Sequence, residues 1–132
     1  VAAEKNLKSK QNQLLEMLSL VDDAEKILTS KTDLEEFGRL LDYTWQLKRG
    51  ITDKVSTDSI DAVYSRALQA GATGGKLLGA GGGGFLLFYV DPDKQENVRK
   101  ALENLLYVPF EFENGGTRVI HYTPESYEPV NA

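Results

Sequence analysis

The fold follows from the stretch Gly74-Gly75-Lys76-Leu77-Leu78-Gly79-Ala80-Gly81-Gly82-Gly83-Gly84-Phe85-Leu86-Leu87-Phe88-Tyr89-Val90. Five of the six residues from 79 to 84 are glycines, so the backbone there bends sharply or approaches another surface closely. The apolar residues on either side predict two β-strands, over residues 76–78 and 85–90. The second strand is apolar on both faces and is therefore predicted to be central in its sheet. We call residues 79–84 the glycine loop.

Two common phosphate-binding motifs are excluded by the context of the glycine loop. Its glycine spacing matches the dinucleotide fingerprint, but that motif lies between a strand and a helix, and here a strand follows. A P-loop requires Ser or Thr after its lysine, whereas Lys76 is followed by Leu77. Two alternatives remain: a long hairpin turn, or a loop that presents backbone N–H groups to an anion or a neighbouring loop. The excess of glycines over what a hairpin needs favours the second.

The composition limits the class of protein. With 132 residues, 41% of them hydrophobic and 27% charged, the chain is predicted to form one globular domain. It has no cysteine, which excludes disulfides and thiolate metal sites, and its single histidine, His121, gives no metal-binding cluster. The net charge of −5 and scattered basic residues argue against nucleic acid as a partner. No apolar run is long enough to span a bilayer, so we expect no membrane association. Because cysteine is absent and no secretory signal is visible, the expected location is the cytoplasm.

Four helices are predicted from the spacing of apolar residues. A long first helix over residues 6–29 has the apolar face Leu7, Leu14, Leu18, Val21 and Leu28, widened by Leu15, Met17, Ala24 and Ile27. That face needs a partner. A second helix begins after Thr32, which forms a capping-box pattern with Glu35, and it ends near Gly50. Its apolar side includes Trp45, which is predicted to be a core residue.

The remaining elements follow the same rules. Ser56, Thr57 and Asp58 are candidate caps for a third helix, on which Tyr64 is predicted to be a core residue. Asp91 and Pro92 predict the start of a fourth helix. Alternating residues around Phe110 and Phe112 and a return over residues 117–122 predict a second hairpin. This order of elements predicts an α+β, two-layer sandwich with about four strands covered by helices.

The residues from 67 to 90 resemble the third motif of the GHMP kinase superfamily, which phosphorylates sugars and mevalonate. The segments Tyr43-Thr-Trp-Gln-Leu-Lys48-Arg49 and Ser59-Ile-Asp61-Ala-Val-Tyr64 resemble those of the D-glycero-D-manno-heptose 7-phosphate kinases within it. The resemblance extends over roughly the whole chain. It implies a C-terminal kinase domain with a ferredoxin-like core, here residues 1–132, with additional N-terminal helices up to residue 55 and the α+β core over residues 56–123.

The resemblance also implies what lies outside this chain. Kinases of this family hold ATP in a separate glycine-rich motif of an N-terminal domain, and no such motif precedes Leu7. We therefore expect a fragment of a longer enzyme, inactive by itself, with no catalytic residue, metal site or cofactor of its own. In the whole enzyme, ATP and Mg²⁺ are expected on the N-terminal domain, which is the predicted partner of this one. The loop Gly79-Ala80-Gly81-Gly82-Gly83-Gly84 is expected to lie beside the nucleotide and the acceptor.

Four further side chains are candidates for binding the sugar phosphate. Lys76 either faces the phosphates or is a solvated residue at the head of a strand. Lys48 and Arg49 either hold a distal phosphate of the acceptor or interact with the negative end of the second helix. Asp61 either lies near the substrate or is an exposed acid early in the third helix.

Three functions stay open at the level of sequence. The first is a heptose 7-phosphate kinase domain. The second is a kinase domain of the same superfamily with galactose, fucose or mevalonate as acceptor. The third is a regulatory α+β module that binds a ligand or partner along its sheet, although such a module has no need of five glycines between strands. The first helix could also pair with another subunit, as in a homodimer.

Overall fold

The computed structural model describes residues 2–51, 55–79 and 83–117. The elements follow one another as four helices and two strands: α1 Ala2–Thr29, α2 Glu35–Ile51, α3 Asp58–Gln69, β1 Ala72–Leu78, β2 Phe85–Val90 and α4 Gln95–Ala101. This mixture of helices with a small antiparallel sheet confirms the predicted α+β class.

The two strands on either side of the glycine loop form one antiparallel pair. Leu77 lies opposite Leu86 and Gly75 opposite Phe88, with an irregularity between Ala72 and Gly74. Strand β1 begins four residues earlier than predicted, at Ala72. Because side chains alternate between the two faces of a strand, Leu77, Leu86 and Phe88 share the face that packs against helices.

The core lies between this face of the sheet and helices α2, α3 and α4. One buried cluster joins Trp45 of α2, Tyr64 of α3 and Leu77 of β1. The Tyr64 ring lies between two other rings, 6.0 Å from that of Trp45 and 5.4 Å from that of Phe88, measured between centroids. A second cluster joins Ala67, Ala72 and Val98. The prediction that Trp45 and Tyr64 are core residues is confirmed.

Helix α2 approaches strand β1 unusually closely. A Cβ atom added at Gly74 would overlap the carbonyl oxygen of Gly38 and lie 2.9 Å from the backbone nitrogen of Asp42. A Cβ atom added at Gly38 would in turn lie 2.8 Å from the Tyr89 ring and 2.9 Å from the Cβ of Thr73. The two backbones can meet at this distance only because neither glycine has a side chain.

Helix α1 packs against α2 with only one side of the wide apolar face that was predicted. Its half-buried apolar residues are Met17, Leu20, Ala24 and Ile27. Met17, Ala24 and Ile27 were predicted as part of the apolar face, whereas Leu14, Leu18, Val21 and Leu28, its predicted centre, are each more than half accessible to solvent. The helix has two apolar stripes at helical spacing, and only contact with α2 distinguishes them.

The helix starts confirm one prediction and correct two. Thr57 caps α3, where its side-chain oxygen accepts from the backbone N–H of Ile60 at 3.3 Å. Helix α2 is capped by Asp33, whose carboxylate accepts from the N–H of Glu35, while Thr32 bonds to Ser30.

Helix α4 begins at Gln95, later than the predicted start at Asp91 and Pro92. The carbonyl of Asp91 accepts from the N–H of Lys94 at 2.9 Å, which closes a separate turn before the helix.

The predicted second hairpin is not present in the part of the chain that the structure describes. Residues 106–117 have no strand assignment, so the prediction of a strand at Phe110 and Phe112 is wrong. Phe112 is largely exposed and packs edge-on against Phe110. The predicted return strand lies almost entirely outside the described residues, as does His121. The described sheet therefore has two strands, where the sequence predicted about four.

The close approach of α2 to β1 predicts that Gly74→Ala destabilises the fold. The added methyl overlaps the Gly38 carbonyl, and we expect a loss of about 1–3 kcal/mol in the free energy of unfolding, typical of overpacking. Gly83→Ala is the matched control, because a Cβ there meets no atom within 4 Å. Urea unfolding followed by circular dichroism measures both variants. Equal stability of the two variants would contradict the proposed contact.

Candidate functional site

The ends of the glycine loop have backbone conformations that favour glycine. Gly79 has a φ of 133° and Gly84 a φ of 129°, in a region that residues with a Cβ rarely adopt. The two ends also meet, since a Cβ at Gly84 would overlap the carbonyl oxygen of Leu78. These contacts explain the need for glycine at both ends. Ala80, Gly81 and Gly82 lie outside the described residues.

The described rim of the glycine loop is open to solvent. Gly79, Gly83 and Gly84 are exposed, and so are the flanking side chains of Leu78 and Phe85. Exposed apolar side chains beside a bare backbone are typical of a surface that another molecule or domain covers.

The strand that leads into the loop is held at its edge by Tyr64. The Tyr64 hydroxyl donates to Oδ1 of Asp42 at 2.7 Å and accepts from the backbone N–H of Gly75 at 3.1 Å. The carbonyl oxygen of Gly75 also lies within reach, 3.2 Å from the hydroxyl. Because both polar groups of Gly75 face Tyr64, they point away from β2 at the open edge of β1. One buried side chain thus connects α2, α3 and β1 and satisfies backbone groups that the sheet leaves unpaired.

The environment of Tyr64 changes its acidity. Burial raises the pKa of the Tyr64 phenol well above its ordinary value, and the hydrogen bond to the Asp42 carboxylate raises it further. Both effects oppose a negative charge on the phenol oxygen. The hydroxyl therefore stays protonated and serves as a donor rather than as a base.

A polar surface cavity of about 480 Å³ lies where α2 ends and α3 begins. Its described lining is Gln46, Arg49, Gly50, Ser56, Thr57, Asp58 and Asp61. Among these lining residues, Nη2 of Arg49 donates to Oδ2 of Asp61 at 2.6 Å, and the Ser56 hydroxyl donates to Oδ1 of the same carboxylate at 2.6 Å. Both charged side chains are about one-third exposed. We call this group the Arg49–Asp61 cavity.

The structure brings together two of the four candidate binding side chains. Arg49 and Asp61, which are 12 residues apart in sequence, form the ion pair in the cavity. Lys48 is half-buried near the end of α2 and is not among the described lining residues. Lys76 is half-buried on β1, opposite Leu87. None of the described residues of the glycine loop lines the cavity.

The described residues contain neither a metal-binding group nor a membrane-spanning helix. Within residues 2–51, 55–79 and 83–117, no group of three His, Asp or Glu side chains is placed to hold a metal ion. Over the same residues, no helix combines the length and the apolar character that crossing a membrane requires.

Comparison with known proteins identifies the family. The family described as GHMP kinases C terminal matches residues 20–108, which is more than half of the chain. The chain belongs to the GHMP kinase family. The match includes both strands, the glycine loop and the Arg49–Asp61 cavity, and it places the GHMP kinase C-terminal domain on the α+β core described above.

Individual relatives of this GHMP kinase domain have different acceptors in their names. The chain is 38% identical over 88 residues to the D-glycero-alpha-D-manno-heptose 7-phosphate kinase of Campylobacter jejuni, covering 65% of this chain and 26% of that protein. It is also 38% identical over 89 residues to the mevalonate kinase of Pyrococcus abyssi, covering 66% of this chain and 26% of that protein. The chain thus spans about a quarter of the length of these relatives.

A solved structure supports the same fold. The crystal structure of L. major mevalonate kinase in complex with R-mevalonate superimposes with a TM-score of 0.55 and 28% sequence identity. The superposition covers 76% of this chain and 32% of that one.

Sequence reasoning missed several features of these two sites. It assigned Tyr64 to the core without its hydrogen bonds, and it did not single out Asp42 or Gln46. There was little sign in the sequence of a role for the Tyr64 hydroxyl. The apolar face of its helix predicts that the side chain is buried, but it does not predict the partners of the hydroxyl. Ser56 was considered only as a helix cap, whereas its hydroxyl bonds to Asp61.

The Tyr64 network predicts that Tyr64→Phe destabilises the domain. The change leaves Asp42 and the Gly75 N–H without this partner, and we expect a loss of about 1–3 kcal/mol in the free energy of unfolding. Tyr43→Phe is the control, because the Tyr43 hydroxyl bonds to Glu16 at the surface and its removal is expected to change stability by about 0.5 kcal/mol or less. The measurement is the urea midpoint of each variant, and a Tyr64→Phe midpoint equal to that of the control would refute the network.

The raised pKa of Tyr64 also predicts how stability depends on pH. The unfolded chain releases this proton near pH 10, whereas the folded chain retains it to higher pH. The stabilisation is therefore complete below pH 10 and is lost as the pH rises towards the folded pKa. Thermal unfolding between pH 9 and about 11.5 should show a steeper loss of stability in the parent chain than in Tyr64→Phe. If the stability of the two proteins fell equally with pH, Tyr64 would not contribute to the pH dependence.

Proposed function

We propose that this chain is the C-terminal domain of an ATP-dependent kinase that converts D-glycero-D-manno-heptose 7-phosphate to the 1,7-bisphosphate. The observation that carries the proposal is the Arg49–Asp61 cavity, found on a domain that is 38% identical to a heptose 7-phosphate kinase. The activity belongs to the whole protein, of which this domain supplies part of the acceptor site.

The side chains of the cavity suit a sugar phosphate. Carboxylate and hydroxyl groups such as those of Asp61 and Ser56 bond readily to the many hydroxyls of a heptose. Arg49 uses Nη2 on Asp61 and Nη1 on Gln46, and a guanidinium has further N–H donors for phosphate oxygens. Lys48, which precedes Arg49 on α2 and lies outside the described lining, adds a second positive charge at this end of the helix.

Mevalonate is the second candidate acceptor, because mevalonate kinases match at the same identity. Mevalonate has a carboxylate and fewer hydroxyls than a heptose. It therefore leaves more of the polar groups in the cavity without a partner, at a cost in binding.

The glycine loop would serve both acceptors in the same way. Without side chains it can pack close to the nucleotide and offer backbone N–H groups where charge develops on the transferred phosphoryl group. Lys76, which lies on β1 three residues before the loop, would add a positive charge nearby. ATP supplies the phosphoryl group and Mg²⁺ neutralises its charge. Since the described residues contain no metal-binding cluster, we assign the ion to the N-terminal domain and derive no step through it.

The test is ADP release by the longer protein that contains this domain. Heptose 7-phosphate, galactose, fucose and mevalonate are offered separately, with the 132-residue chain assayed in parallel. We expect turnover with heptose 7-phosphate by the longer protein alone. Turnover with another acceptor would support the kinase activity but contradict heptose 7-phosphate as the acceptor. Absence of turnover with all four compounds would contradict both proposals.

The proposed contact of Arg49 with the distal phosphate predicts a specific kinetic effect. Arg49→Lys keeps the charge but loses the planar fork, so the KM for heptose 7-phosphate should rise about tenfold while kcat changes by less than about threefold. Arg39→Lys is the matched control on the same helix, since Arg39 is exposed and pairs with Glu35 and Glu36. If Arg49 only stabilises the fold, the variant will melt earlier with an unchanged KM.

A further inference from the structure

Gln46 lies between the two polar networks described above. Asp42 lies four residues before it and Arg49 three residues after it, so all three side chains share one side of α2. Nε2 of Gln46 donates to Oδ1 of Asp42 at 3.2 Å, and its Oε1 accepts from Nη1 of Arg49 at 3.3 Å. Asp42 belongs to the Tyr64 network, and Arg49 to the Arg49–Asp61 cavity. Gln46 therefore joins the two.

Together these contacts form a continuous series of hydrogen bonds between the cavity and the sheet. In order, its members are Asp61, Arg49, Gln46, Asp42, Tyr64 and Gly75. The series begins in the Arg49–Asp61 cavity and alternates between α3 and α2. It ends on β1, four residues before the glycine loop. A change at one end can therefore reach the other through contacts alone.

The chemistry of position 46 suits a carboxamide. The Asp42 carboxylate can only accept a hydrogen bond, and the Arg49 guanidinium can only donate one. Gln46 offers an NH₂ group to the first and a carbonyl oxygen to the second, and this arrangement also fixes which way its amide points. A Glu at this position would repel Asp42, and a Lys would repel Arg49. Glutamine therefore serves both neighbours at once.

We propose that Gln46 is a positioning residue that couples the Arg49–Asp61 cavity to the Tyr64 network. An anion in the cavity that draws Arg49 away from Gln46 leaves the Gln46 carbonyl oxygen without this donor. The amide then changes its bond to Asp42, and with it the hydroxyl that holds Gly75. The coupling is a property of this domain, and the proposed function adds only that the anion is a sugar phosphate.

A direct electrostatic effect of Arg49 on Tyr64 is the alternative to coupling through Gln46. Burial is the main cause that raises the pKa of the Tyr64 phenol, and the positive charge of Arg49 acts in the opposite direction. Such a field acts through space and remains when Gln46 is replaced. Coupling through hydrogen bonds is lost with the Gln46 amide. A variant of Gln46 therefore distinguishes the two.

The first test is a double-mutant cycle on the 132-residue chain, with Arg49→Met and Tyr64→Phe. The unfolding equilibrium constant in urea is measured for both single variants and the double variant, and again with Gln46→Met present throughout. Because Gln46 is exposed, water competes for its amide and the expected coupling is small. With Gln46 in place, the combined effect should differ from the product of the single effects by at least about twofold.

With Gln46→Met present, the two effects should simply multiply, as they do for independent sites. Methionine has a similar length but no strong donor or acceptor, so it removes both bonds of Gln46 with little change in volume. Effects that multiply in both sets of proteins would overturn the proposal. The same departure from the product in both sets would overturn it as well, in favour of a direct field.

The second test follows the Gly75 amide by NMR and requires only folded protein, which circular dichroism checks. Arg49→Met withdraws the guanidinium from Gln46, as an anion in the cavity would. It should shift the Gly75 amide resonance, because that N–H donates to Tyr64, and the shift should be lost when Gln46→Met is also present. Arg39→Met is the matched control on α2, because Arg39 pairs with Glu35 and Glu36 at the surface. An unmoved Gly75 resonance in Arg49→Met, or an equal shift with and without Gln46, would contradict the coupling.

Discussion

The rest of the structure depends on the close approach of helix α2 to strand β1. Gly38 and Gly74 allow the two backbones to meet where any side chain would overlap. This contact brings Asp42 within reach of the Tyr64 hydroxyl, which in turn bonds to Gly75. Strand β1 is thereby held against the helices at Gly75, two residues before Leu77, which belongs to the core. The glycine loop starts from that fixed strand, so its position follows from contacts some distance away.

The same helix connects the two candidate sites. Helix α2 supplies Asp42, which holds β1, and it supplies Arg49, which pairs with Asp61 in the cavity. Helix α3 likewise supplies both Tyr64 and Asp61. Two adjacent turns of α3 therefore hold the edge of β1, through Tyr64, and line the Arg49–Asp61 cavity, through Asp61. A rigid helix pair can in this way keep the Arg49–Asp61 cavity and the glycine loop in constant relation.

The sequence predicted the elements better than their contacts. The glycine loop, its two strands, the cap at Thr57 and the burial of Trp45 and Tyr64 followed from local composition and spacing. The buried face of α1 was predicted only in part, because Leu14, Leu18 and Val21 have the same helical periodicity as Met17 and Ala24, and the prediction included both sets. Periodicity identifies an apolar face but not its partner, and only the packing of α2 distinguishes the two.

Contacts between side chains that are distant in sequence could not be predicted either. Arg49 and Asp61 were each considered alone, and nothing local indicates that the end of α2 lies beside the start of α3. Tyr64 and Asp42 are 22 residues apart, and their bond depends on the angle between two helices. The strand predicted at Phe110 and Phe112 shows the opposite error. An alternating pattern was present, but a strand also needs a neighbour whose backbone can pair with it.

The most direct measurement of the central claim is hydrogen exchange at the Gly75 amide, followed by NMR on the labelled chain. If Tyr64 holds the edge of β1, the Gly75 amide should exchange only when the whole domain unfolds. Its exchange should then be at least about a thousand-fold slower than that of the Gly83 amide. Strong protection at an edge position, lost in Tyr64→Phe, is the result that the account predicts. Exchange of Gly75 as fast as that of Gly83 would contradict it, because β1 would then be held by its pairing with β2 alone.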